Sequence, residues 1–277
     1  MRIYANYLAA VPLLFLAAQA QAGMVWSARP VENGAGNAHQ HHQSQQHAHG
    51  QQRKAKRFYL HGGQGARVEF WLPSTEQRPL SLNDEDASVA LHSTGMVSYH
   101  LLMATRQQPG RVETALRYHY MRGKPTDYSP ATLVKAKKSQ LELVPNPLPR
   151  EHWRYQSLKP ADFIVRFNGK PLTNKELRLT TSLGSSMKLS SDEHGRVRFL
   201  LPDDFTQVKP GRKNNPTAEF FVEVAHQESA TDYHTSYSAD YYVSPSHWQS
   251  TMAGFGAMLV GFVGGLAIIR RRKDKVQ

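Results

Sequence analysis

The stretch "ADFIVRFNGKPL", Ala161 to Leu172, decides how the chain is read. "ADFIVRF" is rich in β-branched and aromatic residues, and it stops at Asn168-Gly169. Both of those residues tolerate positive φ, so the pair predicts a tight hairpin turn. Similar short runs follow: "KELRLTT", "MKLSS", "RVRFLLP", "AEFFVEVAH" and "YHTSYSADYYV". In "AEFFVEVAH", Phe220, Val222 and Val224 fall on one face, with Glu219, Phe221 and Glu223 on the other. That period of two belongs to a strand with one buried side. "SDEHGRVRF" reads as a polar turn ending in Gly195 and then an alternating strand. Asp192 in that turn is expected to hydrogen-bond its own backbone, because the further oxygen ligands of a calcium loop are missing. Strands at this spacing predict a β-sandwich of immunoglobulin-like or transthyretin-like type.

Upstream, "VPNPLPREHWRYQSLKP", Val144 to Pro160, has four prolines that discourage regular structure. It predicts a boundary between a first β domain, 58–146, and a β-sandwich domain, 158–245. The first half carries its own strand candidates. Val68, Phe70 and Leu72 alternate with Arg67, Glu69 and Trp71, and "SVALHSTGMVSYHLLMA", "RVETALRYHYM" and "TLVKAKKSQLELVP" follow. "HGGQG", His61 to Gly65, lacks the Lys and Ser/Thr of a phosphate cradle and reads as a tight turn. "NDEDASVALHS" could open a short helical turn. The expected fold class is all-β: two sandwich domains plus one C-terminal transmembrane helix.

Two apolar segments bracket these domains. "LAAVPLLFLAA", Leu8 to Ala18, precedes small-x-small sites ending at Ala20 or Ala22, the layout of a signal peptide over residues 1–22. "MAGFGAMLVGFVGGLAII", Met252 to Ile269, has no charge and is followed by "RRRKDK". As a helix its 18 residues would reach about 27 Å, close to a hydrocarbon core. Trp248 stands at its outer end, and the basic residues favour the cytoplasmic side. The expectation is a single span at 251–269 with a basic cytoplasmic tail at 270–277. The bulk of the chain would then lie on the periplasmic or extracytoplasmic side of the inner membrane. Gly261 and Gly265 have the spacing that permits close helix packing.

Net charge is +12 over 277 residues. "RRRKDK" and Arg53 to Arg57 ("RKAKR") each contribute +4 and Arg2 a further +1, leaving +3 for everything else. The excess is therefore local, and no nucleic-acid partner is expected. The chain has no cysteine, which excludes disulfides, thiolate metal sites and a cysteine nucleophile. No G-x-S-x-G, H-E-x-x-H or P-loop is present, so no enzyme is expected.

"LELVPNP", "DFIVRFNGKPLTNKELRLTT" and "SSDEHGRVRFLLP" together resemble a family of bacterial exported proteins described as periplasmic components of cobalt or nickel uptake systems. The resemblance covers roughly residues 88 to 243. The second and third of these motifs are shared with carboxypeptidase-regulatory-like and transthyretin-like modules, which are structural. The resemblance implies a β-sandwich and an accessory role in divalent-metal uptake beside transporter subunits. It maps no ligand onto any residue.

The composition adds its own signal. Residues 23–57 hold almost no large apolar group after Trp26 and predict a disordered, His-rich linker. Within it, His39, His41, His42, His47 and His49 offer imidazoles that suit nickel, cobalt, copper or zinc. The alternative is a spacer, with the sandwich acting as a structural or interaction module of the envelope. The remaining histidines show no ligand spacing. His119 and His234 sit among tyrosines and read as partly buried aromatics.

Overall fold

The computed structural model describes residues 23–30, 55–149, 154–248 and 258–262. The strands are β1 (Val25–Ser27), β2 (Lys56–His61), β3 (Arg67–Trp71), β4 (Gln77–Leu80), β5 (Ser88–Leu91), β6 (Ser98–Gln108) and β7 (Arg111–Met121). After the helix α1 (Pro130–Lys135) come β8 (Leu141–Pro145), β9 (Tyr155–Gln156), β10 (Pro160–Phe167), β11 (Lys170–Pro171), β12 (Glu176–Thr181), β13 (Ser186–Ser190) and β14 (Arg196–Leu200). Two long strands close the order, β15 (Thr217–Glu228) and β16 (Thr231–Tyr242). The chain is all-β, as its alternation predicts.

One nine-stranded sheet runs through both halves in the order β13-β12-β15-β16-β7-β6-β3-β4, with β9 added on β16. Its middle joint is parallel: β16 pairs with β7 from Asp232↔Arg111 to Ser238↔Arg117. Two small sheets cover opposite faces. Leu101, Met103, Leu116 and Tyr118 join the core formed with β8, β10 and β14. Leu102, Ala104 and Ala115 join the core formed with β1, β2 and β5. Successive side chains of one strand point to opposite faces, so these strands are buried on both sides. That is why "HLLMA" is a continuous apolar run rather than an alternating one.

The sheets are not partitioned at residues 144–160. β8, before the proline-rich stretch, pairs with β10, after it, from Phe163↔Pro145 to Phe167↔Leu141.

Local chemistry fixes the turns. Asn168 (φ 50°) and Gly169 (φ 81°) form the expected hairpin turn, and Arg166 faces Pro171 across it. Asp192 Oδ1 accepts from the backbone N–H of His194 and Arg196, both at 2.8 Å, as its turn position predicts. Gly195 closes that turn at φ 71°; a Cβ there would lie 2.5 Å from the Val165 carbonyl oxygen. "HGGQG" is the turn between β2 and β3.

Three expectations are corrected. The first concerns residues 23–57, which contain ordered strand at both ends. Met24 and Trp26 are buried, and Trp26 Nε1 donates to Ala115 O at 3.2 Å. The buried indole, with Met24 beside it and Ser27 and Ala28 bonded to Glu219, seats this three-residue strand. The second concerns "TLVK", which is helical. Pro130 stands in the first turn, Ser129 Oγ accepts from Ala131 N–H at 3.2 Å, and Leu133 is buried. An N-cap with proline in the first turn is a strong local start signal that outweighs Thr and Val. The third concerns "NDEDASVALHS", in which 84–86 form a turn rather than a helix and β5 follows.

The expected leader at 1–22 and tail at 270–277 lie outside the described residues. So does the expected span at 251–269, apart from the helical stretch 258–262, where Met258, Leu259, Val260 and Phe262 are exposed. Among the described residues no helix is long and apolar enough to cross a membrane.

Candidate functional site: a cleft where two parallel strands part

β7 and β16 run side by side only as far as Arg117 and Ser238. Beyond that point β7 continues along β6 to Met121, while β16 takes β9 as its neighbour at Tyr241↔Tyr155. The strands therefore fork, and a cavity of about 270 Å³ opens in the gap. Tyr118, His119 and Tyr120 line one arm; Ala239, Asp240 and Tyr242 line the other. Because neighbours on a strand point to opposite faces, the cleft passes from one side of the sheet to the other.

On the side of β8 and β10 the cleft is a wall of tyrosines. Tyr155 and Tyr237 share a hydrogen bond between hydroxyls at 3.2 Å, and Tyr99 donates to Pro149 O at 2.7 Å. Tyr99 and Tyr120 meet edge to face with centroids 5.3 Å apart. Tyr118 is 7% exposed, and its hydroxyl has no hydrogen-bond partner among the described residues. A buried hydroxyl left unpaired costs about 1–3 kcal/mol, which phenylalanine at the same place would avoid. Burial pushes these phenols upward: Tyr99 to about 12, and Tyr118, Tyr155 and Tyr237 further still. All four remain protonated donors at any physiological pH.

On the side of β1 and β2 the lining is charged. Arg117 donates to Glu219 Oε1 at 2.7 Å and to Asp240 Oδ1 at 2.5 Å. Lys56 Nζ stands 3.6 Å from Asp240 Oδ2. Burial alone would raise the Asp240 carboxyl, but Arg117 and then Lys56 hold it below its usual value. Burial lowers Lys56, against the pull of Asp240. His119 packs edge-on against Phe58 at 5.3 Å; burial, with Lys56 and Arg117 adding to it, lowers the imidazole to about 3. At the mouth, Arg154 lies 4.8 Å over the Tyr242 ring, and Arg122 joins the rim. The Asp240 carboxylate is thus held between Arg117 and Lys56, while Arg122 and Arg154 line the same cleft. A shallower groove of about 450 Å³ adjoins the cleft, sharing Tyr99, Tyr120, Leu148 and Pro149.

His39, His41, His42, His47 and His49 lie outside the described residues, in the segment between β1 and β2. Among the described residues no group of three or more His, Asp or Glu side chains is placed to hold a metal ion. His119 and His234 are half-buried in strands, as their tyrosine-rich surroundings predict. His100 is fully buried, stacked on Phe70 at 5.3 Å, with Nε2 2.9 Å from Thr94 Oγ1. The cleft was not legible in the sequence. "RYHYM" and "YSADYY" show tyrosines clustered at strand ends, but nothing in them says that these ends part.

No family model and no curated protein matches the chain. Solved structures give likenesses at low similarity. One is an adhesin described as "Ca2+-stabilized adhesin helps an Antarctic bacterium reach out and bind ice". It shows 10% identity and a TM-score of 0.26, with 69% of this chain and 43% of that one covered. A two-domain fibronectin type-III segment of chicken tenascin shows 6% identity and a TM-score of 0.22, over 68% of this chain and 92% of that one. The D0-D1 domain of intimin shows 15% identity and a TM-score of 0.24, over 69% and 91%. The β-sandwich character rests on the strand pairing and the two cores described above.

Proposed function

We propose that this protein is a non-catalytic binding module of the cell envelope, held to the membrane by residues 251–269, and that its ligand occupies the forked cleft. The observation that carries this reading is the preformed cavity of about 270 Å³ at the fork, walled by Tyr99, Tyr155 and Tyr237 and edged by Lys56 and Arg154. Cavities with a few convergent polar groups are the usual form of a ligand site. Two features favour binding over catalysis. A general base works best with a pKa near the working pH. Here burial holds the His119 imidazole far below that range, and the Asp240 carboxylate is shared by two cations. The exposed apolar side chains of Met258, Leu259, Val260 and Phe262 suit lipid, which supports the anchor at 251–269.

The test uses the full chain in detergent micelles, titrated with fractionated envelope polymers. Binding should be lost in Arg154→Glu, which reverses charge at the mouth, with the melting temperature unchanged. Undiminished binding by that variant would place the interaction surface elsewhere.

A second reading is favoured by the five imidazoles between residues 39 and 49. In it the tract captures nickel, cobalt, copper or zinc, and the protein serves a metal-uptake system as an accessory of its transporter subunits. Replacing all five with glutamine should then abolish metal binding. In the parent, binding should weaken as pH falls through about 6.5, because imidazolium cannot ligate. A five-glutamine variant that binds nickel, copper and zinc as tightly as the parent would make the tract a spacer.

A further inference from the structure

Large apolar side chains left in water are unevenly placed on the sandwich. Apart from the stretch 258–262, the strongly exposed ones among the described residues are Tyr128, Leu158, Leu183, Leu189 and Leu200. Leu158, Leu183 and Leu200, at 45%, 45% and 58% exposure, stand at the end where β16 finishes. Hydrogen bonds fix them there. Ser157 N–H donates to Tyr242 O at 2.8 Å, and Ser157 Oγ accepts from Ser244 N–H at 3.0 Å. Leu158 N–H donates to Leu201 O at 2.9 Å, beside the end of β14, where Leu200 faces Pro160. Leu183 lies in the turn between β12 and β13. Ser182 N–H, in the same turn, donates to Glu219 O at 2.8 Å, and Glu219 faces Asp240 of β16. Leu158 is also held at φ 60°, a backbone that suits glycine or asparagine better than leucine. An apolar side chain that is both exposed and on strained backbone gains nothing inside the fold, which directs attention to a contact outside it.

The chain leaves the sandwich at this same end. His247 Nε2 stands 3.2 Å from Asp203 Oδ2, just past β14, and Trp248 packs against the core beneath β10. Three steps along the chain separate Trp248 from residue 251, a reach of at most about 11 Å. The headgroup layer of a bilayer is itself roughly 5–8 Å deep. A span that starts at 251 therefore keeps this end of the sandwich within reach of lipid. We propose that this end rests on the bilayer, with Leu158, Leu183 and Leu200 sunk into the boundary between headgroups and acyl chains. The proposal rests on the reading of 251–269 as the anchor, and adds to it the orientation of the folded domain. Lys159, exposed beside Leu158, meets lipid phosphates. The acids nearby are engaged. Asp204 accepts from the hydroxyls of Thr181, Ser185 and Tyr241 at 2.5, 2.6 and 2.9 Å, and Asp203 faces His247. Leu189 supplies the contrast: it pairs with Leu177, level with Val224, toward the other end of the sheet.

The test uses the absence of cysteine, which lets each variant carry one thiol. The full chain is reconstituted in phosphatidylcholine vesicles as Leu158→Cys, Leu183→Cys, Leu200→Cys, Leu189→Cys or Val260→Cys, each labelled with one fluorophore. All five positions are exposed, so the melting temperature should match the parent. Phosphatidylcholine bearing a nitroxide at the headgroup should quench the labels at 158, 183 and 200 at least about twofold, and leave the label at 189 unquenched. Phosphatidylcholine with its nitroxide deep in the acyl chain should quench the label at 260. If 260 is quenched but 158, 183 and 200 are not, the resting face falls and the anchor stands. Shielding of those three labels from aqueous iodide, without nitroxide quenching, would assign the leucines to a second copy of the chain and equally overturn the proposal. Quenching at 189 as strong as at 158 would overturn the orientation. If 260 is not quenched either, the anchor and the proposal fall together.

Discussion

On its face toward β10, the nine-stranded sheet presents Phe220, Val222 and Tyr237; on its face toward β1, the same two strands present Glu219 and Ser236 beside Arg117. The first contact is aromatic: Phe163 meets Phe220 and Tyr237 edge to face, with centroids 6.4 and 5.0 Å apart. The second is a set of hydrogen bonds. Ser27 Oγ and Ala28 N–H donate to the Glu219 carboxylate at 2.7 and 2.8 Å, and the Ser236 hydroxyl donates to Met24 O. Strand alternation alone produces the difference. The apolar layer tolerates changes of shape better than it tolerates charge, whereas the polar layer depends on each charge keeping its partner.

The largest expected effect is on the apolar face. Val222→Asp places an unpaired carboxylate where exposure is zero, at a cost of several kcal/mol, comparable with the whole stability of a domain. The variant should fail to give a cooperative melt. On the polar face, Trp26→Ala should cost about 3–5 kcal/mol and release β1, read as a lower urea midpoint. Glu219→Ala should cost about 3 kcal/mol, because Arg117 keeps only Asp240 as a charge partner, with Ser238 Oγ beside it, and Ser27 and Ala28 lose their acceptor. If Glu219→Ala proved milder than a surface substitution, the polar layer would be ornamental.

Acid should act on the β1 side first. His100 and His119 both pack toward that layer, against Phe70 and Phe58, and burial lowers them to about 4 and about 3. Their folded values lie below the unfolded value of about 6.5, so protons bind the unfolded chain preferentially. The stability they contribute is complete above pH 6.5 and declines as pH falls toward 4, by up to about 1.4 kcal/mol per pH unit for each histidine. Urea midpoints at pH 7 and pH 5 should differ accordingly, and less so in His119→Gln. The smallest effect belongs to Glu223→Ala, on a half-buried position with no core contact, at under about 0.5 kcal/mol.

How much of this was legible follows from how local each signal is. The register of "AEFFVEVAH", the Asn168-Gly169 turn and the Asp192 turn depend on neighbours in sequence, and each is found where the pattern puts it. The joining of the two halves is not local. β7 and β16 pair in parallel across more than a hundred residues, and no periodicity records which strands meet. The cleft inherits that blindness, since its tyrosines come from β6, β7, β9 and β16. Glu219 shows the same limit: alternation places it opposite Phe220, which reads as solvent, but a second covering sheet and Arg117 make that side interior.

The shared sheet is tested most directly by hydrogen exchange of the full chain in detergent micelles, followed by mass spectrometry across a urea series. If β7 and β16 are neighbours in one sheet, peptides from β6–β7 and from β15–β16 open together, with the same urea dependence and the same limiting protection. Two separate openings, with β6–β7 exchanging at lower urea while β15–β16 stays protected, would contradict the parallel joint and remove the fork that makes the cleft.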